Sequence, residues 1–174
     1  MTFAHSLAER ELASHLPALA KQEQLTLLGT EVRIGGFRLD AVASAPDGSL
    51  VIIELKTTRW MGTLAQLLLY LRALRRCLEF QGLRPPQIRS LLITTYLDCG
   101  LLDLITDHEL TDVVDVRLCV GTLPNDLRLV KPSHSSAASA LLDQATGPHT
   151  VERITSWVAQ QGVETDIPGY GGPA

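Results

Sequence analysis

A chain of 174 residues, 45% hydrophobic and 20% charged, has ordinary globular composition and is long enough to bury one sizeable core. Its net charge of −4 counts against a strong non-specific nucleic-acid binder, although Arg72, Arg75, Arg76 and Arg84 form a local basic cluster. No basic segment followed by an apolar run opens the chain and no apolar stretch is long enough to span a bilayer, so a cytosolic protein without a membrane partner is expected.

Residues 3 to about 16 carry leucines and alanines at helical spacing, and Pro17 kinks or restarts that helix. Leu12, Leu16 and Leu19 define its apolar stripe. At about 100° per residue, Glu9 falls near the edge of the stripe, Glu11 farther round and Arg10 nearly opposite. A glutamate beside a core face needs a partner; the alternative is a helix-start charge favoured by the macrodipole. Residues 28–34 read as a strand ending in the Gly35-Gly36 turn. Residues 37–44 and 49–57 read as a hairpin around Pro46-Asp47-Gly48. A long amphipathic helix follows over 61–81, with Gln66 and Tyr70 one turn apart on its flank. Residues 88–97 form a buried-type strand, 100–110 a short helix and 113–120 a second buried-type strand. Beyond Gly121 the pattern weakens to an edge strand at 127–130, short helices at 135–144 and 150–161, and a loose tail at 169–174. The expected organisation is a core over 1–121 and a C-terminal extension over 122–174. Cys77, Cys99 and Cys119 are far apart with no CxxC pair, which supports neither a zinc site nor a disulfide framework.

The central hairpin carries the chemistry. With a three-residue loop, Ala45 faces Ser49 and Asp40 falls opposite Glu54; a two-residue loop would break that alignment. Alternation then puts Phe37, Leu39, Ala41, Val51, Ile53 and Leu55 on one apolar face. Arg38, Asp40, Val42, Ile52, Glu54 and Lys56 share the other. Opposed carboxylates repel, and a divalent cation between them removes the penalty. Lys56 points to the same side, where an ammonium can hold or deprotonate a water or steady charge on a phosphate. The alternative is a solvated charged patch on an exposed sheet face.

Taken in order, these segments resemble the PD-(D/E)XK nuclease superfamily, whose signature is a helical glutamate, an aspartate at a strand end and (D/E)-X-K on the next strand. Here the matching residues are Glu9, Asp40 and Glu54-Leu55-Lys56. The segment AEREL, residues 8–12, resembles the opening helix of archaeal Holliday-junction resolvases. Residues 31–70 are similar to the catalytic domain of mismatch-type endonucleases. Gln66 and Tyr70 match the QxxxY helix motif of RecB-like members. Leu39 stands where the motif has proline.

The resemblance implies an α/β, restriction-endonuclease-like αβββαβ core, with a mixed sheet flanked by helices. It also implies hydrolysis of phosphodiester bonds with Mg²⁺ or Mn²⁺, with DNA as the expected nucleic acid and a homodimer as a possible assembly. Asp40, Glu54 and the Leu55 carbonyl would hold the metal, and Glu9 a second metal or a water of the first. Lys56 would position the attacking water, and Gln66 and Tyr70 would align the scissile backbone. DNA repair or defence is the setting such nucleases serve. The competing reading is a catalytically inactive module of the same fold that binds nucleic acid or a protein. A small-molecule phosphohydrolase lacks support, since no Gly-rich phosphate loop is present.

Overall fold

The computed structural model describes residues 7–58, 62–96, 99–121 and 127–132, all within the compact unit Met1–Ala137. Two short helices, α1 (Leu7–Ser14) and α2 (Leu16–Gln22), precede three strands, β1 (Thr26–Ile34), β2 (Phe37–Ser44) and β3 (Leu50–Lys56). Then come α3 (Thr63–Phe80), β4 (Ile88–Thr94), α4 (Cys99–Asp107), β5 (Val114–Val120) and β6 (Arg128–Val130). The six strands form one mixed sheet in sequential order. β1, β2 and β3 are antiparallel neighbours, because turns of two and three residues join them. β3, β4 and β5 are parallel, joined by α3 and α4. β6, from the segment assigned to the C-terminal extension, pairs antiparallel with β5. The expected helices at 135–144 and 150–161 and the tail lie outside the described residues.

Local chemistry sets these elements. Pro17 lacks an N–H and sits in the first turn of α2, where none is needed, so the helix breaks at His15 and restarts. Gly35 and Gly36 have φ of 55° and 84°, the paired positive values of a two-residue hairpin loop, and Ile34 pairs with Phe37 across it. The second hairpin has the expected three-residue loop. Ala45 N–H donates to Ser49, Asp47 Oδ1 accepts from Ser49 N–H and Oγ, and Gly48 takes φ of 81°.

Both faces of the sheet are covered. On one, Leu12, Leu16 and Leu19 of the first two helices pack on Ala41, Ala43, Val51, Ile53, Leu55, Leu91 and Ile93. On the other, Tyr70 and Leu74 of α3 cover Leu39, Val42, Ile52 and Ile88, while Leu67 and α4's Leu101 and Ile105 cover Leu92, Val114 and Val116. Each of the buried leucine, isoleucine and valine side chains contributes about 1.5–3 kcal/mol on burial. Among the described residues no helix is long and apolar enough to cross a membrane.

This packing corrects the expected faces of the hairpin. Phe37 and Leu39 do not join Ala41, Ile53 and Leu55; they pack under α3 with Val42 and Ile52. Strict alternation fails at Asp40. The paired rows of β2 and β3 end at Ala41 and Ile53, and Leu55 N–H turns to the Asp40 side chain instead of the β2 backbone. On the other flank, Glu31 lies between the Thr30–Ala41 and Val32–Leu39 pairs with φ of 52°, a left-handed conformation inside a strand. The side chains before Asp40 thus lie on the face opposite the one that alternation from Ala41 assigns.

Candidate metal and phosphodiester site

The site lies where β3 ends beneath the first turns of α3. Asp40 and Glu54 are 5% and 2% exposed, so neither belongs to a solvated patch. Asp40 Oδ2 accepts Leu55 N–H at 2.8 Å. Glu54 Oε1 accepts two donors, Lys56 Nζ at 2.5 Å and Gln66 Nε2 at 2.9 Å. Gln66 Nε2 also donates to Tyr70 Oη, one helical turn on. Gln66 reaches the site because α3 starts at Thr63, directly after β3, and packs Leu67, Tyr70 and Leu74 against the sheet. Phe37 fixes the Tyr70 ring edge-to-face, with centroids 5.7 Å apart.

The charges are uneven. Burial alone would lower the Lys56 ammonium, but Glu54 first, then Asp40 and Glu9, outweigh it and raise Lys56 above the ordinary lysine value. Lys56 is therefore a cation at neutral pH. Burial raises the Tyr70 phenol, partly offset by the Gln66 hydrogen bond, so it stays neutral. Glu9 is half-buried and its charge acts on Lys56, whereas Glu11 is exposed. Three carboxylates thus converge on a single ammonium.

Among the described residues no group of three or more His, Cys, Asp or Glu is arranged to ligate one ion. A cation at this site would rest on Asp40, Glu54, a backbone carbonyl and water, a ligand set that Mg²⁺ accepts. The donor set fits in two ways. Its carboxylates exceed its cations in a buried place, and Gln66 Oε1 is buried with no hydrogen-bond partner among the described residues.

No family model matches the chain, and no curated protein matches it in sequence. Solved structures do. EndoMS in its apo form aligns over 68% of this chain and 49% of its own, at 23% identity and a TM-score of 0.50. Over the matched residues this chain has the fold of that part of EndoMS. EndoMS in a complex with dsDNA aligns over 63% of this chain and 44% of its own, at 24% identity and a TM-score of 0.48. A repair endonuclease from Pyrococcus abyssi aligns over 68% and 48%, at 20% identity and a TM-score of 0.48. The matched region is less than half the length of each of these proteins.

The structure thus brings Asp40, Glu54, Leu55, Lys56, Gln66 and Tyr70 together, with Glu9 close enough to act on Lys56. Sequence reasoning missed Phe37, which it set on the opposite face, and Glu31, whose 3.2 Å bridge to Arg38 joins β1 to β2. No periodicity signals a residue displaced by a side-chain-to-backbone bond on a neighbouring strand.

Proposed function

We propose that this chain is a metal-dependent nuclease of the PD-(D/E)XK type that hydrolyses phosphodiester bonds of DNA, using Mg²⁺ or Mn²⁺. The observation that carries the reading is the cluster of buried Asp40 and Glu54 with half-buried Lys56 at the end of β3, closed over by Gln66. Asp40, Glu54 and the Leu55 carbonyl would hold the cation, with Glu9 binding a second one or a water of the first. The metal would supply charge neutralisation at the phosphate and a more acidic water.

The side chains supply the rest. Lys56, kept as an ammonium by its carboxylates, orients the attacking water and balances the charge that grows on the phosphoryl oxygens. Gln66 Oε1, free to accept, takes a hydrogen bond from that water and orients it. Tyr70 Oη accepts from Gln66, which leaves its own hydrogen for a non-bridging phosphate oxygen. Water's oxygen bonds to phosphorus as the P–O bond to the leaving nucleotide breaks; the proton the water loses passes to solvent, and solvent protonates the departing oxygen.

Incubation with labelled linear, single-stranded, branched and mismatched DNA, with Mg²⁺, Mn²⁺ or EDTA, tests this. Cleavage in the metal arms and none in EDTA is expected. Intact substrate in every arm, with DNA binding retained, would leave the fold as a non-catalytic binding module. Sedimentation in the same buffers tests the homodimer.

A further inference from the structure

We infer that the solvent face of α3 is the surface on which the DNA backbone lies as it leads into the site. The inference rests on the nuclease reading for its ligand and on a separate part of the molecule for its evidence. Arg72, Arg75 and Arg76 are all exposed on α3, and exposed Arg84 follows in the next loop. Among the described residues none of the four enters an ion pair. Three other cations are engaged: Lys56 with Glu54, Arg38 with Glu31, and Arg117 with Glu23 and Asp115. In a chain of 19 acidic and 15 basic residues, neutralising partners are in surplus. Like charges three and four apart on a helix repel, so this grouping works against α3 unless a polyanion meets it.

Position supports the same partner. At about 100° per residue, Arg76 lies about 80° and Arg72 about 120° round the helix from Gln66. Along the axis they stand roughly 15 and 9 Å from it, a separation covering several nucleotides of one strand. The site itself cannot attract a phosphate chain, because its carboxylates outnumber its ammonium. A basic ridge alongside supplies the attraction, and the exposed Phe80, at 94%, offers a ring face at its end.

Binding of a short labelled duplex, and of its single strand, is measured by anisotropy in EDTA, so that nothing is cut, from roughly 50 to 200 mM salt. The Arg72→Ala/Arg75→Ala/Arg76→Ala triple variant is expected to bind at least tenfold more weakly. Its slope of log affinity against log salt should be shallower by about two to three. The corresponding triple lysine variant keeps the slope, and Glu79→Gln, which removes the acid beside the arginines, tightens binding. Wild-type slope in the alanine variant, at equal thermal stability, overturns the inference. Loss of self-association in that variant with DNA binding intact overturns it too, and assigns the ridge to a second copy. A wild type that binds through this ridge but cuts nothing with Mg²⁺ upholds the ridge and removes only the nuclease reading.

Discussion

Leu55 donates its backbone N–H to Asp40 Oδ2 at 2.8 Å, so a side chain, not a strand, takes the first hydrogen bond beyond the β2–β3 ladder. That bond aims one Asp40 oxygen at the β3 backbone. It also ties Asp40 to the strand that carries Glu54 and Lys56, where no ladder pair is formed. The break in the β2–β3 ladder and the placement of the candidate ligand Asp40 are one feature.

Asp40→Asn separates the two roles. The carboxamide oxygen can still accept from Leu55 N–H, so the fold should persist while one buried negative charge is lost. Mg²⁺ or Mn²⁺ should raise the melting temperature of the wild type, by the equivalent of about 2.7 kcal/mol at a hundredfold excess over Kd. The variant should respond little. An equal rise in both proteins would move the metal elsewhere.

Lys56 is expected to matter for stability as well as for cleavage. Its partner Glu54 is 2% exposed, and removing one member of a buried pair costs about 3 kcal/mol. Lys56→Ala should therefore unfold earlier in EDTA and cleave at least a hundredfold more slowly with metal, as loss of one preorganised donor does. The pH dependence follows from the raised Lys56 value. The pair's contribution is fully present below the unfolded value of 10.5 and lost as pH climbs through the higher folded one. Denaturant unfolding of wild type and variant in EDTA should show a gap that narrows only above 10.5. A gap unchanged across that range would show that the folded protein does not hold the proton more tightly.

Much of this geometry was legible because it is local. Pro46-Asp47-Gly48 dictates a three-residue loop, and the loop fixes the register of Ala41 with Ile53. The stripe of Leu12, Leu16 and Leu19 correctly placed Glu9 half in and Glu11 out. Phe37 and Leu39 were misplaced because alternation assumes a regular ladder on both sides of a strand. Here the Asp40 side chain breaks one ladder, and the left-handed Glu31 interrupts the other. Both breaks lie on the strands either side of β2, so no pattern within β2 could reveal them. Val42 and Ile52 do share the α3-covered face with Glu54, as alternation expects; that this face is buried could not be read from the hairpin, since the helix that covers it arrives later in the chain.

The two glutamates of α1 provide the sharpest comparison. Glu9 is half-buried and close enough for its charge to raise Lys56, whereas Glu11 is exposed. Glu9→Gln keeps the shape and removes the charge; Glu11→Gln does the same two residues on. Cleavage with Mg²⁺ should fall at least tenfold for the first, about 1.4 kcal/mol of barrier, and stay near wild type for the second. Glu11→Gln should shift unfolding by no more than about 0.5 kcal/mol, as surface changes do. Glu9→Gln also relieves one of three carboxylates crowded on a single ammonium. In EDTA its stability should hold or rise, which separates a lost ligand from a damaged fold. Single-turnover cleavage and denaturant unfolding of the same preparations measure both. A slow Glu9→Gln enzyme that is also less stable would make Glu9 a structural residue of α1. A sensitive Glu11 would mean that α1 presents its other flank to the site, and equal activity in both would confine the chemistry to Asp40, Glu54 and Lys56.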